Sequence, residues 1–266
     1  YSGALRYARR SSRRFIRSRW KAATLWYCAL TIGGLFALNW VYQVVKKPGE
    51  LFAPISTAFF KSPESTWQNY GSLFEKHSTP ILSPEFLAAL AQLESNGNPI
   101  ARTYWRWQWS WNPFDVYRPA STAVGMFQIT DGTFNDARKY CIRDHQVVSE
   151  GPWHDLRSCW FNSLYTRTIP SHATEMTAAY LHRSVTNTLA LEHRAKVSLP
   201  HKQKLAAVIH LCGLRRGKTF VAGEFRARPT ERCGTHSLVR YLEQVDAMTK
   251  TFGRLRTGSQ RRYLSS

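Results

Sequence analysis

The sequence predicts a mainly α-helical protein: one transmembrane helix, then a helical domain carrying a small β hairpin. Three observations point there. Residues 22–45 form an apolar run without a single charge. From residue 83 onward, apolar residues recur at spacings of three and four, which marks one face of a helix. The stretch with a period of two, residues 105–111, is short and Trp-rich.

The 266 residues carry a formal charge of +20, which calls for an anionic partner. Residues 1–21 hold eight of the basic side chains (Arg6, Arg9, Arg10, Arg13, Arg14, Arg17, Arg19 and Lys21) and no acid. Without them 29 basic residues still face 17 acidic ones, so the basic character is not a tail effect. As a helix, residues 22–45 span about 36 Å, enough to cross a bilayer with some tilt. Trp20, Trp26, Trp40 and Tyr42 stand near its ends, where interfacial aromatics are found. The basic block before the run and only Lys46 and Lys47 after it place residues 1–21 in the cytoplasm and the bulk of the chain outside. The run is long for a signal peptide and lacks a small-x-small cleavage site, which favours an uncleaved anchor. Asn39, Gln43 and the Gly33-Gly34 pair weaken it slightly and suit a helix–helix contact.

Residues 46–79 contain Pro48, Gly49, Pro54, Pro63 and Gly71 and read as a linker. One short helix is expected within it near residues 65–76. The helical domain is expected over 80–253, and a basic C-terminal tail with Arg254, Arg256, Arg261 and Arg262 over 254–266.

Residues 83–97 read as one short helix. Ser83 is the N-cap, Pro84 takes the first helical position, Glu85 complements the positive end and Gly97 suits the C′ position. Leu87, Leu90 and Ala91 share a face, and Glu94 falls on it. A carboxyl group there is partly desolvated and sits at the negative end of the helix dipole. Both effects favour the protonated form that a general acid needs.

Glu94-Ser95, followed by Ser121-x-Ala123-x-Gly125-Met126-Phe127-Gln128-Ile129, resembles the soluble lytic transglycosylase (SLT) family, whose fold is that of goose-type lysozyme. There a Glu-Ser pair precedes Gly-Leu-Met-Gln; here Met126 and Phe127 replace Leu and Met, within apolar types. Thr177-Ala178-Ala179-Tyr180-Leu181 resembles the helix before the family's third motif. The run ending His210-Leu211-Cys212-Gly213 occupies the place of that motif, usually Ala-Tyr-Asn-Ala-Gly. Gly213 matches, while His210 and Leu211 stand at the Tyr and Asn positions. His210 could replace the missing hydrogen bond to Glu94, or be an ordinary buried histidine. Tyr241 is similar to a late family tyrosine that borders the active site.

Between the motifs, Trp105, Trp107, Trp109 and Trp111 alternate with Arg106, Gln108 and Ser110, which predicts a strand or hairpin arm with four indoles on one face. That face packs as core, stacks on sugar rings, or lies in a membrane interface. Cys28 lies in the apolar run. Cys141, Cys159, Cys212 and Cys233 form an even set in the outer domain, for which three pairings exist. Nearest-neighbour pairing closes two loops of moderate length. No metal site or cofactor is expected, since neither Cys-x-x-Cys nor His-Glu-x-x-His occurs. Nucleic acid is an unlikely partner, because no helix-turn-helix or finger signature accompanies the charge.

The resemblance implies a lytic transglycosylase of peptidoglycan, whose stem peptides supply the anionic partner. Glu94 is the expected catalytic residue, acting as acid and then base. Ser95, Gly125, Gln128, His210 and Tyr241 are the expected substrate-binding positions. The expected location is a bacterial inner membrane, crossed once, with the catalytic domain in the periplasm and service to an envelope-spanning machine as one role. Two other readings stay open. A muramidase would hydrolyse the same bond with Asp131 or Asp115 as base. A non-catalytic wall-binding scaffold would account for the altered third motif.

Overall fold

The computed structural model describes residues 2–47, 50–51, 55–149, 151–152, 154–155, 158–194 and 196–264, with side chains at 2–19, 56–57, 160 and 260–264 outside the description. The elements run α1 (Ser2–Lys46), α2 (Pro63–Lys76), α3 (Pro84–Ser95), β1 (Trp105–Trp107), β2 (Tyr117–Pro119), α4 (Asp131–Ala137), β3 (Tyr140–Arg143) and β4 (Gln146–Ser149). They continue with α5 (Pro170–Leu191), α6 (Leu199–Cys212), α7 (Leu214–Ala222), β5 (Arg232–Cys233), β6 (His236–Ser237) and α8 (Leu238–Leu264). The fold is mainly helical, as expected. The chain forms two compact units: Tyr1–Glu50 with Trp105–Ala120, and Leu51–Tyr104 with Ser121–Ser266.

In the first unit, α1 is one helix from the basic segment through the apolar run, without a break at residue 21. Trp20–Lys46 is long and apolar enough to cross a membrane. The basic side chains up to Arg19 lie outside the described residues. Strands β1 and β2 pair antiparallel, with Trp105 opposite Pro119 and Trp107 opposite Tyr117. The expected four-indole face is not formed. β1 ends at Trp107, and the chain turns through a short 3-10 segment whose cap is Asn112, Oδ1 accepting from the Phe114 amide. Trp109 and Trp111 are fully exposed and Trp107 is 67% exposed, so the indoles are not core.

The second unit has α3 at its centre. Leu87, Leu90 and Ala91 have no exposed surface, which is the outcome their spacing predicts. Helices α2 and α8 pack against α3, while α5, α6 and α7 pack on one another. The α2 segment corrects the expected linker. Ser62 caps it, its Oγ accepting from the Ser65 amide, and Pro63 opens it. Trp67 and Phe74, two turns apart, are buried, with the Trp67 ring 6.0 Å from Phe252 of α8. Pro and Gly made this segment look like linker, yet its apolar stripe is part of the core. The expected C-terminal tail is likewise corrected: α8 continues through 254–264. Arg256 Nη1 donates to Glu85 Oε1 at 2.7 Å and its Nε lies 3.2 Å from Glu75. Arg256 is thereby used within the fold; the side chains of Arg261 and Arg262 lie outside the described residues.

A second hairpin, β3–β4, was not anticipated in the largely helical reading of 136–260. Asp144 and His145 form its tip with φ of 47° and 63°, the left-handed pair that a tight two-residue hairpin turn requires. The disulfides follow the nearest-neighbour pairing, Cys141–Cys159 and Cys212–Cys233, with Cα separations of 5.5 and 5.4 Å. Cys212–Cys233 ties the end of α6 to β5. Replacing this pair with serine is expected to cost about 3 kcal/mol in urea unfolding, from the loop entropy regained by the unfolded chain. A midpoint that did not move would show that the staple contributes nothing.

Candidate active site

Glu94 is brought to the site by the last turn of α3. The helix starts as its sequence dictates, with Ser83 Oγ accepting from the Phe86 amide. It ends as expected, with Gly97 at the C′ position in positive φ, but the C-cap before it, Asn96, is left-handed as well (φ 51°). The Glu94 side chain is 17% exposed, at the edge of the apolar face.

The second motif is a tight loop. Val124 and Ile129 exchange both backbone hydrogen bonds, at 3.2 and 3.1 Å, and residues 125–128 turn between them. Gly125 adopts φ +82°, and a Cβ there would collide with the Arg167 carbonyl oxygen. The glycine thus admits the protein's own backbone, where close approach of a sugar was the expectation. Gln128 also has positive φ, 47°, and its Nε2 donates to the Gly125 carbonyl at 2.9 Å.

Ser95 joins the two motifs. It is buried, and its Oγ donates toward the carbonyls of Ala91 and Met126 at 3.1 and 2.8 Å and accepts from the Asn98 amide. The hydroxyl is fully engaged by Ala91, Met126 and Asn98, so its geometry is that of a positioning residue. Arg167, which sequence reasoning missed, braces the same loop. Its Nη1 donates to the carbonyls of Thr122 and Ile129, each at 2.9 Å, and lies 2.8 Å from Asp131 Oδ1. No local pattern marks it: it is one arginine in an irregular stretch. That stretch is itself pinned by buried Glu175 of α5, which accepts from the Ile142 amide and from the Tyr165 hydroxyl at 2.9 and 2.6 Å.

Two further residues converge on Glu94 from distant helices. Tyr241 of α8 donates its hydroxyl to Glu94 Oε1 at 2.6 Å. Burial, and then the adjacent carboxylate, push the Tyr241 phenol well above its usual range, so it remains a donor. His210 of α6 places Nε2 3.6 Å from the same oxygen. That is ion-pair distance, too long for the direct hydrogen bond expected of it. A pocket of about 220 Å3 opens beside His210, which lines it together with Gln128, Thr133, Tyr180 and Leu211, while Glu94 and Tyr241 are not in its lining. The structure thus brings Glu94, His210 and Tyr241 together and places Gln128 on the wall of the pocket that His210 shares, with Ser95 and Gly125 as framework.

The two acids considered as a second catalytic carboxylate are engaged elsewhere. Asp131 is paired with Arg167. Asp115 belongs to the first unit, where Lys46 Nζ lies 3.2 Å from it.

With Oε1 held by Tyr241, the proton of a neutral Glu94 is directed to Oε2. Under the acid role proposed below for Glu94, the carboxylate formed as the proton leaves would lose one charge-assisted hydrogen bond, so Tyr241→Phe is expected to lower kcat about 10- to 100-fold with little change in KM. The phenyl ring preserves the packing, so the melting temperature should hold. A fall in KM-dependent terms alone would assign Tyr241 to substrate binding instead.

Residues 72–198 match the protein family described as Transglycosylase SLT domain. No curated protein and no solved structure matches the chain. The matched span contains both motifs and Arg167, and it ends before α6 and α8, which carry His210 and Tyr241.

Proposed function

We propose that this chain, whose residues 72–198 match the Transglycosylase SLT domain, cleaves glycosidic bonds of peptidoglycan as a lytic transglycosylase, with Glu94 as its single catalytic acid and a product that ends in 1,6-anhydro-MurNAc. The observation that carries this reading is the Glu94–Tyr241 hydrogen bond, which orients one carboxyl group while both rival carboxylates are committed to cations.

In the proposed reaction, protonated Glu94 gives its proton from Oε2 to the leaving O4 between MurNAc and GlcNAc. The C1–O4 bond breaks and an oxocarbenium-like centre develops at C1, which the MurNAc acetamido oxygen is placed to stabilise. The Glu94 carboxylate then takes the proton of the sugar's C6 hydroxyl, whose oxygen attacks C1. The proton returns to Glu94, the ring closes, and no water is consumed. Tyr241 donates to Oε1 throughout. Gln128, on the pocket wall, is the group proposed to hold the glycan, together with His210. One carboxyl group suffices here, unlike glycoside hydrolysis, where a second must activate water or attack the sugar.

The proposed setting is a single-pass protein of a bacterial inner membrane, with Trp20–Lys46 as the span and the catalytic unit in the periplasm. The two disulfides suit an oxidising compartment. A role within an envelope-spanning machine is compatible with a tethered wall-cutting domain.

The test is mass spectrometry of fragments released from purified sacculi by the full chain in detergent. Anhydro ends are the expected result. Reducing MurNAc ends would mean hydrolysis and a second carboxylate. No release by a folded, wall-binding protein would make it a scaffold.

A further inference from the structure

The first unit contains features that wall cleavage does not use. Asn39 and Gln43 are polar side chains within the apolar stretch of α1, and both are buried. Asn39 Nδ2 donates to the Tyr117 carbonyl at 2.9 Å, and Gln43 Nε2 donates to the Phe114 carbonyl at 2.6 Å. Tyr42 stacks on Phe114 and its hydroxyl accepts from Asn112 Nδ2; Phe36 meets Trp107 and Tyr117 edge-on. Lys46 pairs with Asp115, and Trp105 Nε1 donates to Glu50 at 2.8 Å. Phe36, Asn39, Tyr42, Gln43 and Lys46 are spaced by threes and fours, so the insertion Trp105–Ala120 covers one face over about 15 Å of the helix axis.

The remaining faces of Trp20–Lys46 are largely exposed. Only 11% of its apolar window is buried, and Trp26, Leu30, Leu35 and Leu38 are each more than half exposed. An apolar surface of this extent requires an apolar phase around it. The insertion continues the surface: Trp107, Trp109 and Trp111 are exposed, the last two completely. Arg106 and Arg118, opposite each other in the β1–β2 register, stand on the other face of the ribbon from Trp105 and Trp107. Indoles with adjacent arginines favour the boundary where headgroups meet hydrocarbon. A two-stranded ribbon leaves unpaired backbone groups along its edges, which excludes it from the hydrocarbon itself.

We infer that α1 and the insertion Trp105–Ala120 are one membrane-embedded unit, with the hairpin lying in the lipid interface and Trp107, Trp109 and Trp111 seated among lipid headgroups. The hairpin carbonyls accept from the side-chain nitrogens of Asn39 and Gln43, so this polar face of α1 meets the hairpin, while Asn39 Oδ1 has no hydrogen-bond partner among the described residues. The same contacts make α1 part of the mature fold and not a removable leader. This inference rests on the membrane reading of α1 and is independent of the reaction at Glu94.

The experiment uses the full chain in vesicles of phosphatidylcholine and phosphatidylglycerol, with and without bromine near the top of the acyl chains. The difference between wild-type emission and that of Trp109→Phe/Trp111→Phe isolates the two indoles. Brominated lipid is expected to quench roughly half of that difference. Aqueous iodide should leave it largely untouched, and Asn39→Leu/Gln43→Leu should abolish the lipid quenching while the protein stays in the vesicle. Quenching by iodide alone would overturn the inference. So would protection from iodide by soluble glycan fragments, which would make the indoles a sugar platform, or lipid quenching unchanged by the Asn39/Gln43 variant. Intact mass of the protein from washed membranes tests the anchor separately: residues 20–46 should be present, and a chain beginning after Lys46 would overturn it.

Discussion

Glu94→Gln is expected to lower the rate of fragment release from sacculi by about 10²- to 10⁴-fold, the usual contribution of a positioned general acid. The carboxamide has nearly the volume of the carboxyl group, and its oxygen can still accept from Tyr241 in place of Oε1. The fold should therefore survive, and so should wall binding: of the pocket residues named above only His210 is placed near the carboxyl group, at 3.6 Å, and the carboxamide keeps an oxygen there. The nitrogen now occupying the Oε2 position has no proton acidic enough for a leaving alkoxide. It also has no basic lone pair with which to take one from the C6 hydroxyl. Both halves of the proposed cycle fail together. Sacculus pull-down and a melting curve run beside the activity assay separate this outcome from unfolding. A variant retaining a tenth of wild-type activity would remove Glu94 from the acid role.

Gly125→Ala is expected to have the largest effect on stability. Two costs act at once: φ of +82° is unfavourable for an L-residue, and the new Cβ meets the Arg167 carbonyl, a backbone atom that cannot rotate away. Together they should destabilise by about 3 kcal/mol, as overpacking against fixed backbone does. The loop is short, closed by the Val124–Ile129 pair and tied to Ser95 through Met126, so the strain has little room to dissipate. Urea unfolding measures it. A loss below about 1 kcal/mol would show that the loop opens freely, and that Gly125 is required by what binds and not by what packs.

These variants probe the part of the fold that the sequence disclosed least evenly. Helix α3 was legible because everything that makes it is local: a serine cap, a proline at the first position, an apolar stripe, and a glycine just past the C-cap. The second motif was legible by resemblance, but the reason for its glycine was not. The atom crowding Gly125 belongs to Arg167, more than forty residues away, in a stretch without periodicity. Tyr241 lies 147 residues from Glu94, and only its likeness to a family position singled it out. His210 was recognised as a departure from the third motif, yet its distance from Glu94 is set by how α6 packs, which no spacing reveals. Composition misled twice: Pro and Gly made the expected helix near residues 65–76 read as part of a linker when it belongs to the core, and a run of arginines hid the end of α8. The alternation of tryptophans overstated a strand that stops at Trp107.

The insertion between the two motifs begins and ends in nearly the same place. In the second unit, Thr103 Oγ1 donates to the Ser121 carbonyl at 3.1 Å, and Arg102 pairs with Val124 across the same neck. An excursion whose ends are already joined costs the host little. Lengthening a four-residue turn to the sixteen residues of Trp105–Ala120 adds only about 1 kcal/mol of loop-closure entropy, which the hairpin's own contacts can offset. The neck makes the insertion a graft: the helical unit can carry such an appendage, or a short turn in its place, without rearranging the residues that hold Glu94.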